Sequence, residues 1–123
     1  MKKLLLYSFL FLAVISCKKE EPSKVTLIQP EALAKVMSEN SIQLVDVRTP
    51  EEYKRGYIEG AVLINFRDSN FLEQMESKLD KDKPVYVYCA SGGRSGRASS
   101  LLLEKGFKKV FDLEGGYSKW SKK

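Results

Sequence analysis

Hydrophobic positions fall along this chain in short blocks whose period switches between the two of a strand and the 3.6 of a helix. Val25 to Ile28 reads as a strand. Pro30 and Glu31 open a helix that carries Leu33, Val36 and Met37 on one face and ends at Asn40. Ile42 to Val47 is apolar except for Gln43 and Asp46, as in a strand covered on both faces of a parallel sheet. Thr49 stands as the cap of a brief helix, with Pro50 in its first turn, Glu51 and Glu52 at its positive end and Gly56 as its stop. After Gly60 comes a third strand, Ala61 to Ile64, and then a helix from Asn70 to Leu79 with Phe71, Leu72, Met75 and Leu79 inward. Asp80 to Lys83 turn the chain into a central strand, opened by Pro84, rich in Val and Tyr, and ended by Cys89.

Gly92 and Gly93 then permit a sharp turn, and Ala98 to Leu103 supply a helical apolar face that Gly106 caps. Val110 to Leu113 is a last strand, Gly115 and Gly116 turn the chain, and Tyr117 to Trp120 form a closing helical turn. Strands alternating with helices predict an α/β domain around a mostly parallel sheet. Its ligand site belongs beyond the carboxyl ends of the strands, where Asp46, Arg48 and Cys89 fall.

The first residues follow another pattern. Lys2 and Lys3 precede an apolar run from Leu4 to Ile15, too short for a comfortable membrane span, so residues 1–16 read as a secretory signal. Val14-Ile15-Ser16-Cys17 resembles a bacterial lipobox, with cleavage before Cys17 and lipid on its sulfur. Residues 17–24 are then the lipidated cysteine and a charged tether containing Pro22. The expectation is an exported bacterial lipoprotein, periplasmic or on the cell surface, held to a membrane by its lipid; Glu20 and Glu21 only hint at export to the outer leaflet, which stays open. Residues 25–123 form the domain, whose length suits one hydrophobic core and leaves no room for a second.

The net charge of +5 falls to +3 without Lys2 and Lys3, and no basic stripe interleaved with aromatics points to nucleic acid. Histidine is absent, which removes the commonest general base and metal ligand, and two cysteines cannot hold zinc. Cys17 and Cys89 are also placed too differently to pair. No metal and no cofactor is expected. The chemistry left is that of thiol and carboxylate.

Cys89 is therefore the candidate nucleophile. A cysteine reacts as its thiolate, which needs surroundings that stabilise negative charge. Backbone N–H groups from Ala90, Ser91, Gly92, Gly93, Arg94 and Ser95 can form an anion-binding nest, and a helix beginning near Arg94 or Ser95 adds its dipole. Arg94 and Arg97 add full charges if they lie close. The thiol pKa is expected below its ordinary value. A buried inert thiol is the plain alternative, but two glycines and two arginines are poor material for filling a core. Asp46 and Arg48 are either a pair bracing the strand ends or supporting groups of the site; Arg94 can be tied to an acid such as Asp46 and still shape the loop.

Five separated motifs resemble the single-domain rhodanese family in order. They are Leu44 to Tyr53, Gly56 to Ala61, Cys89 to Ser95, Gly106-Phe107, and Leu113 to Gly116 with Trp120. The resemblance runs from Val25 to Trp120, with Tyr57 where the family commonly has histidine. It implies a three-layer α/β/α fold on a five-stranded, mostly parallel sheet and a thiosulfate sulfurtransferase-like activity through a Cys89 persulfide. The partners implied are a small anionic sulfur donor such as thiosulfate and an external acceptor, cyanide or a thiol, acting on a monomer. Related cysteine-loop phosphatases resemble Cys, five residues, Arg, whereas Cys89 and Arg94 enclose four, a tighter cradle that suits sulfur. A non-catalytic rhodanese-like module that binds a partner is the other alternative.

Overall fold

A computed structural model describes residues 24–122. The signal segment, the lipobox with Cys17, and the tether as far as residue 23 lie outside the described residues. The elements are β1 (Thr26–Ile28), α1 (Pro30–Glu39), β2 (Gln43–Asp46), α2 (Pro50–Lys54), β3 (Val62–Leu63), α3 (Phe71–Lys78), β4 (Val85–Tyr88), α4 (Gly93–Glu104), β5 (Val110–Leu113) and α5 (Gly116–Trp120). The five strands form one sheet in the order β1-β5-β4-β2-β3, every pairing parallel. Parallel neighbours require crossover connections, and the intervening helices supply them.

Alternation along the strands builds two cores. On one face Val45, Val47, Val85, Val87 and Cys89 pack with Phe71 and Met75 of α3 and Ala98 and Leu102 of α4. On the other, Leu44, Tyr86 and Tyr88 pack with Leu33 of α1 and, at its margin, Tyr117 and Trp120 of α5. A sheet buried on both faces between helices is the expected three-layer α/β/α arrangement.

Element ends shift where backbone hydrogen bonds are spent elsewhere. The third strand is two residues, Val62 and Leu63, rather than Ala61 to Ile64, because the Ala61 N–H turns back to the Ile58 carbonyl at 2.9 Å. The helix after Cys89 begins at Gly93, a position earlier than expected, with Gly92 as its cap at φ +119°. That is left-handed backbone, which glycine adopts without a Cβ penalty. Gly106 follows the end of α4 at φ +92°, in the conformation expected of a helix stop.

Candidate active site

Cys89 follows β4, the middle strand, and its side chain is almost wholly covered at 1% exposure. The backbone turns sharply there, and the Gly92 N–H donates to Cys89 Sγ at 3.0 Å. The Cys89 thiol in turn lies 3.4 Å from Ser95 Oγ, which donates to the Gly92 carbonyl at 3.2 Å. Burial pushes the Cys89 thiol up. The Ser95 hydroxyl and the N–H groups of Ser95, Gly92 and Ser91 more than offset it, so the thiol lies below its ordinary pKa. Gly93 opens α4, and of its first turn the Ser95 N–H acts on the sulfur.

Two arrangements hold this loop in shape. Arg94 is tied to Glu52 rather than to Asp46: its Nη1 and Nη2 donate to Oε1 and Oε2 at 2.8 and 2.9 Å. Glu52 also closes a capping box on α2, accepting from the Thr49 N–H at 3.3 Å while Thr49 Oγ1 accepts from the Glu52 N–H. The Arg94 guanidinium holds the Glu52 carboxyl down at about 2, with burial opposing and Thr49 assisting. On the other side, Gly116 and α5 clamp the strand end. The Tyr117 N–H donates to the Cys89 carbonyl at 2.8 Å and the Ser118 N–H to the Ala90 carbonyl at 3.0 Å. A Cβ on Gly116 would sit 2.5 Å from that Cys89 oxygen, so only glycine fits.

Asp46 and Arg48 pair with each other. Arg48 Nη2 meets Asp46 Oδ2 at 2.7 Å, Nε spans both oxygens, and both residues are buried. Nη2 also donates to the Gly56 carbonyl at 2.7 Å, and the guanidinium lies 4.4 Å from the Tyr117 ring centre. These contacts brace the ends of β2 and the turn before β3. Arg97 is exposed, on an open groove of about 600 Å³ that it shares with Phe66, Gly93, Gly96, Ser100 and Leu101. Tyr57 stacks on Tyr53 at 4.0 Å and is 48% exposed. A second hollow, of about 510 Å³ and bordered by Gln43, Asp80, Pro84 and Tyr86, opens at the amino ends of β2 and β4, the end opposite Cys89.

Sequence reasoning did not single out Glu52 as the partner of Arg94, or Gly116, Tyr117 and Ser118 as the clamp on the cysteine. The Thr49 cap and the paired glycines were visible as local signals. Their reach across the fold was not.

A thiol in a backbone cradle at the carboxyl end of the middle strand of a doubly covered parallel sheet defines a cysteine-loop α/β protein. Residues 29–123 match the rhodanese-like domain family, and the chain belongs to it. It is 42% identical over 81 residues to an uncharacterised protein of Bacillus subtilis, matching 66% of this chain and 62% of that protein's length. It is 35% identical over 116 residues to thiosulfate sulfurtransferase 18 of Arabidopsis thaliana, covering 85% of this chain and 82% of the relative. The crystal structure of a rhodanese-like domain protein from Staphylococcus aureus superposes with a TM-score of 0.70 at 32% identity, over 78% of this chain and 91% of that one.

Proposed function

We propose that the domain is a sulfurtransferase that moves a sulfane sulfur from an anionic donor such as thiosulfate to an external acceptor through a persulfide on Cys89. The observation that carries this is the Cys89 sulfur itself: buried, bonded by the Gly92 N–H at 3.0 Å, beside the Ser95 hydroxyl at 3.4 Å, and shifted toward its thiolate by the polar groups of the loop. In the first half-reaction the thiolate attacks the outer sulfur of thiosulfate. The S–S bond of the donor breaks, its electron pair leaves with sulfite, and Cys89 carries –S–S⁻. In the second, cyanide or a thiolate attacks the terminal sulfur, and the Cys89 thiolate is returned as leaving group. No proton moves at the sulfur in either step when cyanide is the acceptor, so no general base is needed.

The N–H groups that stabilise the thiolate also face the terminal sulfur of the persulfide anion, and the site stays matched to negative charge through the cycle. Arg94 keeps its charge beside the loop while Glu52 fixes its orientation; the Cys89 charge acts on Arg94 in turn. The relative named thiosulfate sulfurtransferase adds support of a coarser kind.

The test uses the full chain with Cys17→Ser, so that Cys89 is the single thiol. After thiosulfate treatment its mass rises by about 32 Da, one sulfur atom, and cyanide removes the adduct as thiocyanate. Cys89→Ser abolishes both. A chain that forms neither adduct nor thiocyanate is instead a partner-binding module. We also propose that Cys17 carries lipid and residues 18–24 hold the domain off a membrane; acyl labelling that persists in Cys17→Ser would overturn this.

A further inference from the structure

Arg48 is held by Asp46 and Arg94 by Glu52, but Arg97 has no such partner. It is exposed, and among the described residues its side chain enters no ion pair or hydrogen bond. It stands one helical turn after Gly93, on the same face of α4. A helical side chain covers the turn that precedes its own Cα, so Arg97 leans over Gly93, where the missing side chain leaves open space. Gly93 belongs to the loop that cradles the sulfur, and Arg97 therefore stands at the edge of that loop.

Arg97 borders the open groove of about 600 Å³ together with Phe66, Gly93 and Leu101. Phe66 fixes this groove at the Cys89 end of the sheet. Its N–H donates to the Val47 carbonyl at 3.1 Å, the Val47 N–H donates to the Tyr88 carbonyl at 3.0 Å, and Tyr88 precedes Cys89. The Phe66 ring meets Phe71 edge-on at 5.2 Å and packs against the core cluster that contains Cys89. Among the described residues none that borders the groove is acidic, and Asp112, beneath Gly96, is only 4% exposed. The groove thus offers an apolar wall and an unneutralised guanidinium. Its volume suits an organic ligand and exceeds what a donor as small as thiosulfate fills.

We propose that Arg97 is a specificity-determining residue for the sulfur acceptor, and that this acceptor is a small organic thiol with a carboxylate a few bonds from its sulfur, seated in the groove. The assignment deepens the sulfur transfer proposed above and rests on it. Once Cys89 is a persulfide, the sulfur to be attacked lies about 2 Å beyond Sγ, so the acceptor meets it further out than the donor met the thiolate. The acceptor thiolate bonds to that outer sulfur, the bond from the outer sulfur to Sγ breaks with its electron pair on Cys89, and R–S–S⁻ departs. Meanwhile the guanidinium fork of Arg97 pairs with the planar carboxylate through two N–H donors, and Phe66 and Leu101 cover the carbon chain between carboxylate and sulfur. An uncharged thiol gains none of that pairing, and a cationic one is repelled.

The experiment loads Cys89 with thiosulfate in the full chain with Cys17→Ser, removes the donor, and measures the second-order rate at which 3-mercaptopropionate and 2-mercaptoethanol discharge the persulfide. Arg97→Gln is expected to lower the ratio of the first rate to the second about fivefold at low salt, and rising ionic strength should bring the parent ratio toward that of the variant. Arg55→Gln, which removes the same net charge from another exposed position, should keep the ratio within about 1.5-fold of the parent. A ratio that Arg97→Gln leaves unchanged, or that Arg55→Gln lowers as far, overturns the proposal. So does an Arg97→Gln chain whose loading by thiosulfate slows by the same factor, because Arg97 would then serve the donor. A chain that never loads refutes the sulfur transfer and not the subsite, which alkylation of Cys89 then tests alone. The iodoacetate-to-iodoacetamide rate ratio falls about threefold in Arg97→Gln where the groove takes a carboxylate, and an unchanged ratio overturns the subsite whatever the turnover.

Discussion

Glu52 and Arg94, 42 positions apart, meet in a two-point ion pair with N–O distances of 2.8 and 2.9 Å, joining the cap of α2 to the start of α4. One carboxylate thus satisfies a helix end and fixes the guanidinium at the edge of the cysteine loop. Bidentate geometry gives it more weight than a loose surface pair, and partial exposure, 27% for Glu52 and 23% for Arg94, limits that weight.

Glu52→Gln is expected to cost about 1 to 2 kcal/mol at neutral pH, from the weakened cap and the lost charge pair together. Because the folded carboxyl is held down at about 2, below its ordinary 4.5, its contribution is present above pH 4.5 and drains away as the pH falls toward 2. Urea midpoints of the native and substituted chains should therefore converge across that window. A gap that stays constant down to its lower edge would show that the charge of Glu52 contributes nothing.

Gly92 and Gly93 should respond in opposite senses although both have open space around a would-be Cβ. Gly92 sits at φ +119° and presents the N–H that bonds the sulfur, so Gly92→Ala should lose about 1 kcal/mol or more and raise the Cys89 titration midpoint. Gly93 lies in the first turn of α4 without positive φ, and Gly93→Ala should be neutral or gain up to about 1 kcal/mol. Thermal melts and alkylation rates measured side by side check both; equal losses would contradict the assigned backbone.

Gly116→Ala meets backbone rather than empty space: the added methyl would stand 2.5 Å from the Cys89 carbonyl oxygen and 2.7 Å from Ala90, at φ +58°. Neither partner can yield without moving the nucleophile. A loss of about 2 kcal/mol or more is expected, accompanied by slower alkylation of Cys89 under native conditions. Wild-type alkylation in a folded Gly116→Ala chain would mean that the clamp does not position the sulfur.

Arg48→Ala should be among the most damaging single changes, at about 3 to 5 kcal/mol, because Asp46, at 0% exposure, would be left as an uncompensated buried charge. Removing both partners in Asp46→Leu with Arg48→Met should cost less than Arg48→Ala alone. Denaturant titration of the three chains checks this, and a double substitution worse than the single would point to a role for the pair beyond mutual compensation.

Much of the domain was legible because its signals are local. The Val-Tyr-Val-Tyr run, the cap at Thr49, and the glycine that ends α4 each act within a few residues, and the nearly unbroken apolar run from Ile42 to Val47 announced burial on both faces. Cys89 and its loop could be chosen as the site for the same reason: glycines and a thiol beside a helix start carry their chemistry in adjacent residues. What remained hidden was pairing at a distance. Which acid Arg94 would take, and which glycine would press on Cys89, depend on the strand order that sets α2, α4 and α5 side by side.

By itself, then, the sequence determined the alternation of strands and helices, the parallel sheet, and a thiol in a short anion-binding loop, because backbone preference and hydrophobic period are properties of neighbours. Tertiary structure alone decided that Glu52 holds Arg94, that Asp46 and Arg48 spend themselves on each other, that Gly116 packs against the Cys89 carbonyl, and that Asp112 lies buried beneath Gly96 of α4. Charges and close contacts act through space, and the chain brings those groups together only once β5 has paired with β4 and α4 has packed across both.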